Sequence, residues 1–439
     1  MNFITVKFMS PKIKLENFIA PKGMQDVMPS DCLYWDYIFS AVDKLGKTYG
    51  FNRIETPILE DSRLFSRSIG ENTDIVEKEM YNLTTKGGDK LSLRPEGTAG
   101  VIRAYINSGM ANWSQPVKLF YTGPMFRYDR PQAGRQRQFT QAGFEIIGSM
   151  DPIFDAQMIQ LVYSIFKKIK LKNIVININS IGDAKCRGKY KTALVDYYKS
   201  RANKLCPDCR RRLSKNSLRI LDCKEEKCSA MREFAPQIVD YLCVECHNHF
   251  KSVLEYLDEI NIPYILNPYL VRGLDYYTKT VFEIVVEGGN KRQLSLGGGG
   301  RYDDLVEILG GAPTPAIGVA LGIERIADQL KASHVALVKN SSAKVFIVQL
   351  GDKAKKKSFK LFNDLLEAGI PAAESFGRGS IKSQLRVANR LQVRIVLIIG
   401  QKESLDGTVI LRDMESGMQE IIDSLKIIKE VKKRMKNGN

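Results

Sequence analysis

The sequence predicts two domains of different class, an α+β domain with a mostly antiparallel sheet and a small C-terminal α/β domain. In the first three quarters of the chain, strand-like runs lie beside separate helical runs, which favours α+β. From Ala343 onward, strands and helices alternate, which favours α/β. The polar segment 331–342 between the two patterns is the predicted linker. We therefore expect domains at 1–335 and 343–439.

The elements of the first domain follow from apolar spacing. Ser30 and Asp31 precede apolar residues at helical intervals, and Gly50 is expected to end this helix. A strand is expected at 52–55, before Pro57. Runs of apolar and β-branched residues predict further strands at 117–121, 144–147, 174–179 and 281–286, and helical spacing predicts helices at 152–170 and 323–330.

The second domain has a shorter repeat of elements. Apolar runs separated by amphipathic stretches predict strands at 345–350, 372–376 and 394–400, with helices at 355–368 and 380–391. This alternation is typical of a parallel sheet covered by helices.

Composition excludes several classes of protein. The 439 residues are 44% hydrophobic and 26% charged, which is ordinary for a globular protein with a sizeable core. No apolar run approaches the roughly 20 residues that cross a bilayer, and the basic start lacks the apolar core of a signal peptide. We therefore expect a cytoplasmic protein without a membrane partner. The net charge of +17 favours a polyanionic partner, although a lysine bias explains it equally well.

Six of the eight cysteines fall between positions 206 and 246. Their spacings, Cys206-x2-Cys209, Cys223-x4-Cys228 and Cys243-x2-Cys246, are typical of zinc ligands in a reducing compartment. Reduced cysteines packed in a core are the equally weighted alternative. If zinc binds, spacing leaves the ligand set open, and the neatest pair of knuckles is Cys206, Cys209, Cys243 and Cys246.

Two charged segments are candidates for chemistry. Residues 123–131, followed by Arg135 and Arg137, predict an arginine-rich hairpin loop. Arginine suits phosphate because its planar group donates paired hydrogen bonds. An exposed hairpin that only aids solubility is the alternative. Residues 94–98, Arg-Pro-Glu-Gly-Thr, could hold an ammonium group, although a glutamate there is more often a helix cap.

These segments resemble the motifs of class II aminoacyl-tRNA synthetases, and specifically of the histidyl enzymes. Residues 51–60 resemble motif 1, 123–145 motif 2 and 317–325 motif 3. LVRGLDYY at 270–277 and GGRYD at 299–303 resemble the two histidine-specific motifs. The motifs occur in family order, and the resemblance covers roughly residues 18–422. It implies a class II catalytic domain, a cysteine-rich insertion at 187–251 and a C-terminal anticodon-binding domain.

The resemblance also implies a reaction. Histidine and ATP, accompanied by Mg²⁺, form histidyl-adenylate and pyrophosphate, and histidine then passes to the 3′ end of its tRNA. The implied catalytic residues bind the phosphates and are Arg127, Arg272 and Arg325, and Asp129 joins them in binding ATP. Asp129 stands where the family usually has glutamate, and Thr140 where it often has histidine.

The implied histidine pocket has two ends. The ammonium and carboxylate side is expected to contain Glu96, Gly97, Thr98 and Gln141, and the imidazole side Glu145, Tyr276, Tyr277 and Tyr302. Paired polar groups of this kind reject analogues strongly, so no editing domain is expected. A tyrosine packed in the core is the alternative for any single one of these. The three histidines of the chain lie outside these motifs, so a histidine general base is not expected.

The resemblance further implies contacts with histidine tRNA. Arg130 and Gln132 in the motif 2 loop are expected to meet its extra 5′ guanosine, and the insertion to hold the acceptor stem. Lys382 and Arg386 begin a basic stripe that Arg390 and Arg394 continue, although a solvated helix face explains each one. A homodimer through motif 1 is also implied.

Two other classes of protein remain as alternatives. The regulatory subunit of ATP phosphoribosyltransferase shares the catalytic fold and can bind histidine without catalysis. Such proteins generally lack the anticodon domain and lose binding motifs, whereas this chain keeps Arg127, Arg272, Arg325 and a complete C-terminal domain. A passive RNA-binding protein would leave the two-sided substrate pocket unexplained.

Overall fold

The structure is a computed structural model that describes residues 18–71, 73–132, 134–287, 295–335, 337 and 343–436. The chain forms two compact units, residues 1–336 and 337–439.

The strands of the first unit are β1 Asn52–Arg53, β2 Leu59–Asp61, β3 Tyr81–Thr84, β4 Lys90–Leu93, β5 Val117–Phe126, β6 Gln138–Ile147, β7 Ile174–Ser180, β8 Tyr264–Leu266, β9 Thr278–Val286, β10 Ser295–Arg301 and β11 Ala316–Gly322. Its helices are α1 Pro29–Thr48, α2 Ser62–Ile69, α3 Thr98–Asn107, α4 Ile153–Lys168, α5 Ala184–Lys199, α6 Pro207–Lys215, α7 Glu226–Arg232, α8 Val244–Glu259, α9 Leu305–Ile308 and α10 Ile323–Ala332.

An eight-stranded sheet organises this unit, in the order β1-β5-β6-β11-β10-β9-β7-β8. Its six central strands are antiparallel, and only the two edge strands pair in parallel. Strands β2, β4 and β3 form a separate antiparallel sheet. The predicted α+β class with a mixed, mostly antiparallel sheet is confirmed.

The first unit has its main core where α1, α4, α8 and α10 cover one face of the large sheet. Ile38 of α1, Ile159 of α4 and Ile326 of α10 are almost fully buried there with Phe144 of β6. Phe120 stacks on Phe144 with 5.8 Å between ring centroids. Burying apolar surface on this face leaves the opposite face of β5, β6, β10 and β11 to hold polar groups.

Most predicted elements of this unit are present, with shifted ends. The first helix begins at Pro29, so Ser30 and Asp31 lie in its first turn and no side chain caps it. Proline is tolerated there because the first N–H groups of a helix have no intrahelical partner. Strands β5 and β6 extend the predictions at 117–121 and 144–147 to ten residues each. Pairing of Pro124 with Thr140 across the hairpin carries both strands beyond their apolar runs.

The second unit contains β12 Val345–Gln349, α11 Asp352–Glu367, β13 Ala372–Glu374, α12 Ile381–Arg390, β14 Ile395–Ile399, α13 Gln401–Asp406, β15 Thr408–Asp413, β16 Gln419–Asp423 and α14 Ile427–Lys436. Strands β13, β12 and β14 pair in parallel, as the alternating pattern predicts, and β15 and β16 add an antiparallel hairpin. This hairpin and the helices α13 and α14 were not predicted.

Candidate active site

Glu145 lies at the centre of a buried polar pocket on β6. Its side chain is fully buried, and Thr98 Oγ1 donates a hydrogen bond of 2.8 Å to Glu145 Oε1. The hydroxyl of Tyr302 donates to the other carboxylate oxygen. A side-chain carbon at Gly318, on the adjacent strand β11, would overlap this carboxylate. Glycine at 318 therefore makes the space that Glu145 occupies.

Burial is the largest influence on the charge of Glu145. It raises the pKa of this carboxyl to about 8, with the nearby Glu96 acting in the same direction. The hydrogen bonds from Tyr302 and Thr98 act in the opposite direction, because they stabilise the carboxylate. Without a ligand, the pocket therefore holds a carboxyl group that changes charge near physiological pH.

This raised pKa predicts a pH-dependent stability. Between the ordinary pKa of 4.5 and about 8, the folded protein keeps a proton on Glu145 that the unfolded chain has lost. The free energy of unfolding therefore falls as pH rises through this window and levels off above it. Denaturant unfolding from pH 5 to 9 should show the wild type losing stability relative to Glu145→Gln, which has no such proton. Parallel pH curves for the two proteins would contradict this.

Three tyrosines form the wall beside Glu145. Tyr276, Tyr277 and Tyr302 are all buried. The ring centroids of Tyr276 and Tyr277 lie 4.7 Å apart, and those of Tyr276 and Tyr302 lie 5.6 Å apart. The structure thus brings together every residue predicted for the imidazole side.

The residues predicted for the ammonium and carboxylate side begin at the start of α3. Glu96 accepts hydrogen bonds from the backbone N–H groups of Thr98, at 2.6 Å, and Ala99, at 2.8 Å, so it caps this helix. Gln141 projects from β6, and its buried side-chain oxygen has no hydrogen-bond partner among the residues that the structure describes. An unpaired buried acceptor is costly, so Gln141 is suited to a donor on a bound ligand.

Arg272 lies over the glycine-rich strand β10. A side-chain carbon at Gly298 would lie 2.6 Å from its guanidinium nitrogens, so only glycine leaves room for this arginine. Arg272 Nη1 donates to Glu283 Oε1 at 3.2 Å, and its Nε is buried without a partner in the described part of the chain. The guanidinium is therefore held in place with a donor still free.

Arg127 and Arg325 are positioned by backbone carbonyls rather than by carboxylates. Arg127 Nε donates to the Pro95 carbonyl at 2.9 Å, and Arg325 Nε donates to that of Gly134 at 2.7 Å. Burial lowers the pKa of both guanidinium groups, and the neighbouring Arg135 lowers each further. Because these arginines lie close together despite their mutual repulsion, the site is suited to a ligand with several negative charges.

The predicted motif 2 loop is present between β5 and β6. Asp129 accepts a hydrogen bond of 2.9 Å from Arg135, so its carboxylate is engaged within the loop. Arg130 and Gln132 are exposed at the tip. The loop therefore presents Arg130 and Gln132 outward, while Arg127 directly follows β5 and Gln141 lies on β6.

The predicted basic stripe is shorter than expected. Lys382, Arg386 and Arg390 are exposed on α12, whereas Gln384 faces inward and bonds to β12. Arg394 lies beyond the helix and pairs with Asp413 at 3.3 Å. The stripe thus ends at Arg390, because the chain turns into β14 after the helix.

The cysteines of the insertion form two separate clusters. The sulfur atoms of Cys206, Cys209, Cys223 and Cys228 lie within 4.8 Å of one another, and all four residues are buried. Cys243 and Cys246 lie instead with Asp183 and Cys186. The predicted set of Cys206, Cys209, Cys243 and Cys246 is therefore wrong as a single site. The fold of the insertion brings Cys223 and Cys228, rather than Cys243 and Cys246, next to Cys206 and Cys209.

Sequence reasoning missed Tyr121. This residue on β5 is buried between α3 and β6, where a side-chain carbon at Gly97 or Gly143 would overlap its ring. It therefore forms part of the pocket floor beneath Glu145. The sequence did place Tyr121 on the strand that leads into motif 2, two residues before Gly123. A tyrosine in an apolar strand, however, is usually part of the hydrophobic core.

Arg301, within the second histidine-specific motif, also has a role that spacing did not reveal. It is fully buried and forms an ion pair with Asp155 of α4, to which His249 of α8 also bonds at 3.2 Å. This network joins β10 to two helices behind the sheet. The burial of a paired cation here indicates a structural role, with neighbouring Tyr302 directed into the pocket.

The antiparallel sheet, its glycine-lined pocket, and three arginines at 127, 272 and 325 define a class II aminoacyl-tRNA synthetase. Comparison with known proteins identifies the family within this class. The family model for histidyl-tRNA synthetase matches residues 23–326, and that for the anticodon-binding domain matches 344–434. A histidine–tRNA ligase of Dehalococcoides mccartyi is 46% identical over 418 residues, 95% of this chain and 99% of the relative. The chain belongs to the histidyl-tRNA synthetase family.

Solved structures agree with this assignment. The crystal structure of apo S. aureus histidyl-tRNA synthetase is similar with a TM-score of 0.79 and 36% identity, covering 95% of this chain and all of the other. A Bacillus halodurans protein described as an ATP phosphoribosyltransferase regulatory subunit/histidyl-tRNA synthetase has a TM-score of 0.62 at 20% identity, covering 87% and 98% of the two chains. The second likeness shows the shared fold alone. Within the described residues, no helix is long and apolar enough to span a membrane.

Proposed function

We propose that this chain activates L-histidine with ATP and transfers it to the 3′ end of histidine tRNA. The observation that carries this proposal is the buried Glu145, which accepts hydrogen bonds from Thr98 and Tyr302. The same sheet leads into or lies beneath three arginines with few carboxylate partners, namely Arg127 directly after β5, Arg272 over Gly298 of β10, and Arg325 in α10, which follows β11. The first step, formation of histidyl-adenylate, needs a pocket that binds the imidazole next to a surface that binds the phosphates of ATP.

Histidine is held at both ends in this proposal. The Glu145 carboxylate accepts an imidazole N–H, and a hydroxyl from Tyr276 or Tyr277 serves the other ring nitrogen. At the opposite end, the unpaired oxygen of Gln141 accepts from the α-ammonium group. Glu96 and Thr98 contribute their charge and hydroxyl beside it, with Gly97 leaving room for Tyr121. Because each buried polar group needs its partner, an amino acid without an imidazole binds poorly.

Adenylate formation then depends on arginines. A carboxylate oxygen of histidine attacks the α-phosphorus of ATP, the bond to the bridging oxygen breaks, and pyrophosphate leaves with the electron pair. Arg127 and Arg272 stabilise the charge on the α-phosphate, and Arg325 binds the γ-phosphate. Asp129 orders the loop around the nucleotide through Arg135. Magnesium bound with ATP supplies further charge neutralisation on the phosphates.

Transfer follows on the same face of the sheet. A hydroxyl of the terminal ribose attacks the carbonyl carbon of the adenylate, the bond from that carbon to the phosphate oxygen breaks, and AMP leaves with the electron pair while a phosphate oxygen takes up the hydroxyl proton. Arg130 and Gln132, exposed at the loop tip, are placed to meet the end of the acceptor stem. Lys382 and Arg386 are exposed on α12 of the second unit and can contact phosphates near the anticodon.

Charging of a histidine tRNA transcript tests this second half. With labelled histidine and ATP, the wild type should charge the transcript, and a transcript without the 5′ guanosine should be charged more slowly. An Arg130→Ala, Gln132→Ala variant should lose this difference while keeping adenylate formation, with Lys167→Ala on α4 as a control at an exposed basic residue outside the loop and the insertion. Equal discrimination by the variant and the wild type would contradict the role of the loop tip.

We include a structural zinc ion in the insertion, held by Cys206, Cys209, Cys223 and Cys228. A tetrahedral zinc with Zn–S bonds of about 2.3 Å places its sulfur ligands about 3.8 Å apart. The sulfurs of Cys206 and Cys223 lie 3.8 Å apart, which is this separation and far longer than a disulfide bond. Cys206 caps α6 and accepts from the Cys209 N–H, as in a zinc knuckle. An unchanged zinc content in a Cys206→Ser variant would contradict this site.

The proposal also includes a homodimer in the cytoplasm. Ile58 and Leu59, within motif 1, and Leu83 on β3 are exposed apolar residues on or next to the three-stranded sheet. A second copy would cover them, as the family implies. All eight cysteines are free, which suits a reducing compartment. Sedimentation at the mass of one chain would contradict the dimer, and fractionation of cells would test the location.

A further inference from the structure

A second cluster of metal-ligand type lies at the base of the cysteine-rich insertion. It consists of Asp183, Cys186, Cys243 and Cys246, and one ligand atom from each lies within 4.8 Å of the others. None of these residues belongs to the four-cysteine cluster: Asp183 and Cys186 come just before the insertion, and Cys243 and Cys246 lie near its end. Two clusters in one insertion therefore need separate explanations.

The backbone arranges these four ligands before any ion binds. Asp183 caps α5 and accepts from the Cys186 N–H at 2.9 Å, while Cys243 caps α8 and accepts from the Cys246 N–H at 3.5 Å. The Cys243 N–H donates to the Cys186 sulfur at 3.0 Å and so joins the two helix starts. Hydrogen bonds from N–H groups and the N-terminal ends of helices both stabilise thiolates, the form in which cysteine binds metal.

The composition of the cluster argues against simple core packing. Cysteines that fill an apolar core need no carboxylate, yet Asp183 directs one oxygen to Cys186 and the other towards the Cys243 sulfur at 3.8 Å. Asp183 and Cys243 are both only partly buried, so an ion could reach the cluster. Three thiolates and one carboxylate make a tetrahedral set that zinc accepts, because zinc prefers sulfur and tolerates oxygen.

We propose that Asp183, Cys186, Cys243 and Cys246 bind a second zinc ion, which fastens the two ends of the insertion together. Cys186 and Cys243 are 57 residues apart in sequence, so the ion closes a loop that contains the whole four-cysteine cluster. Closing a loop of this length removes much of the conformational freedom of the insertion.

The fastened base also contacts the histidine pocket. Arg187 follows Cys186 directly, and its guanidinium donates to the carbonyl of Tyr277 at 2.9 Å. Glu245, between Cys243 and Cys246, pairs with Lys279 of β9 at 2.9 Å. The ion therefore holds two contacts, at Tyr277 and Lys279, that position Tyr276 and Tyr277 immediately before β9. Its loss should raise the KM for histidine more than it lowers kcat.

Zinc content, measured by mass spectrometry on protein purified without chelators or added zinc, tests this inference. We expect two zinc ions per chain in the wild type and in Cys32→Ser, whose cysteine lies outside both clusters. A Cys243→Ser, Cys246→Ser variant should contain one, and so should a Cys206→Ser, Cys209→Ser variant. Circular dichroism would establish that each variant is folded.

The two double variants separate the second site from the first. One zinc retained by folded Cys206→Ser, Cys209→Ser protein supports the second site even if the first site fails. Cobalt substitution in this variant should give a thiolate charge-transfer band weaker than that of a four-thiolate site, since one ligand is a carboxylate. A wild type with no more than one zinc, lost on substitution of Cys206 and Cys209, would overturn the inference. So would an unchanged zinc content in Cys243→Ser, Cys246→Ser protein.

Discussion

Arg272→Ala should lower the rate of histidyl-adenylate formation by about 10²–10³-fold while leaving the fold intact, an effect comparable to removing an oxyanion-hole donor. The guanidinium is anchored by Glu283 and fits above Gly298, with its Nε left without a partner. It is therefore positioned before substrate binds, and in the proposed reaction its charge acts where negative charge develops on the α-phosphate. Single-turnover formation of adenylate, followed by rapid quench, measures this directly.

Two matched variants make the result specific. Arg211→Ala removes an exposed arginine of the insertion that pairs with Asp208, far in sequence from the candidate site residues, so it should leave the rate near that of the wild type. Glu283→Gln removes the anchor of Arg272 without removing the cation, and it should show an intermediate loss. A near-normal rate of adenylate formation in Arg272→Ala would show that this arginine is not part of the catalytic machinery.

The second large effect is expected from substitution of Glu145, which should weaken the use of histidine as a substrate. Glu145→Gln keeps the size of the side chain but removes the charged acceptor for the imidazole N–H. A charge-assisted hydrogen bond contributes about 1.5–3 kcal/mol, so kcat/KM for histidine should fall by about 10- to 10²-fold. The loss should appear mainly as a higher KM, because the imidazole is bound equally in the ground and transition states.

Glu255→Gln is the control for this effect. Glu255 lies on the exposed face of α8, where it pairs with Lys251, and its loss should leave the KM for histidine unchanged. Tyr302→Phe should raise the KM less than Glu145→Gln does, since it removes a hydrogen bond to the carboxylate and keeps the carboxylate itself. A KM for histidine in Glu145→Gln equal to that of the wild type would place the imidazole elsewhere.

Local sequence patterns predicted most helices and strands. They failed where contacts between distant segments determine where a strand begins or whether it forms. Helix α4 and strand β7 follow their apolar periodicity closely. By contrast, β6 begins at Gln138, six residues before its apolar run, because pairing with β5 extends through polar residues that face the pocket. Strand β16 is short and mostly exposed, so it carries little hydrophobic signal. Strand β15 was missed although its Val409 and Leu411 are buried in the core, because its apolar run is only three residues long.

The grouping of candidate residues was predictable where one motif supplies several of them, although their roles stay a prediction. Tyr276 and Tyr277 are adjacent in sequence and both buried, and Tyr276 packs against Tyr302, which bonds to Glu145. Spacing could not indicate which cysteine knuckles meet, since that depends on how the insertion folds. Spacing could not indicate the position of Tyr121 either. Its ring occupies space that Gly97 and Gly143, on two other elements, leave open.

We propose that the pocket around Glu145 selects histidine for activation by ATP. Amino-acid-dependent exchange of labelled pyrophosphate into ATP, measured with each standard amino acid at fixed magnesium, tests it most directly. We predict exchange with histidine alone, and a loss of that exchange in Arg272→Ala. Absence of exchange with every amino acid, in folded protein that still binds histidine, would contradict the claim and favour a regulatory role for the histidine pocket.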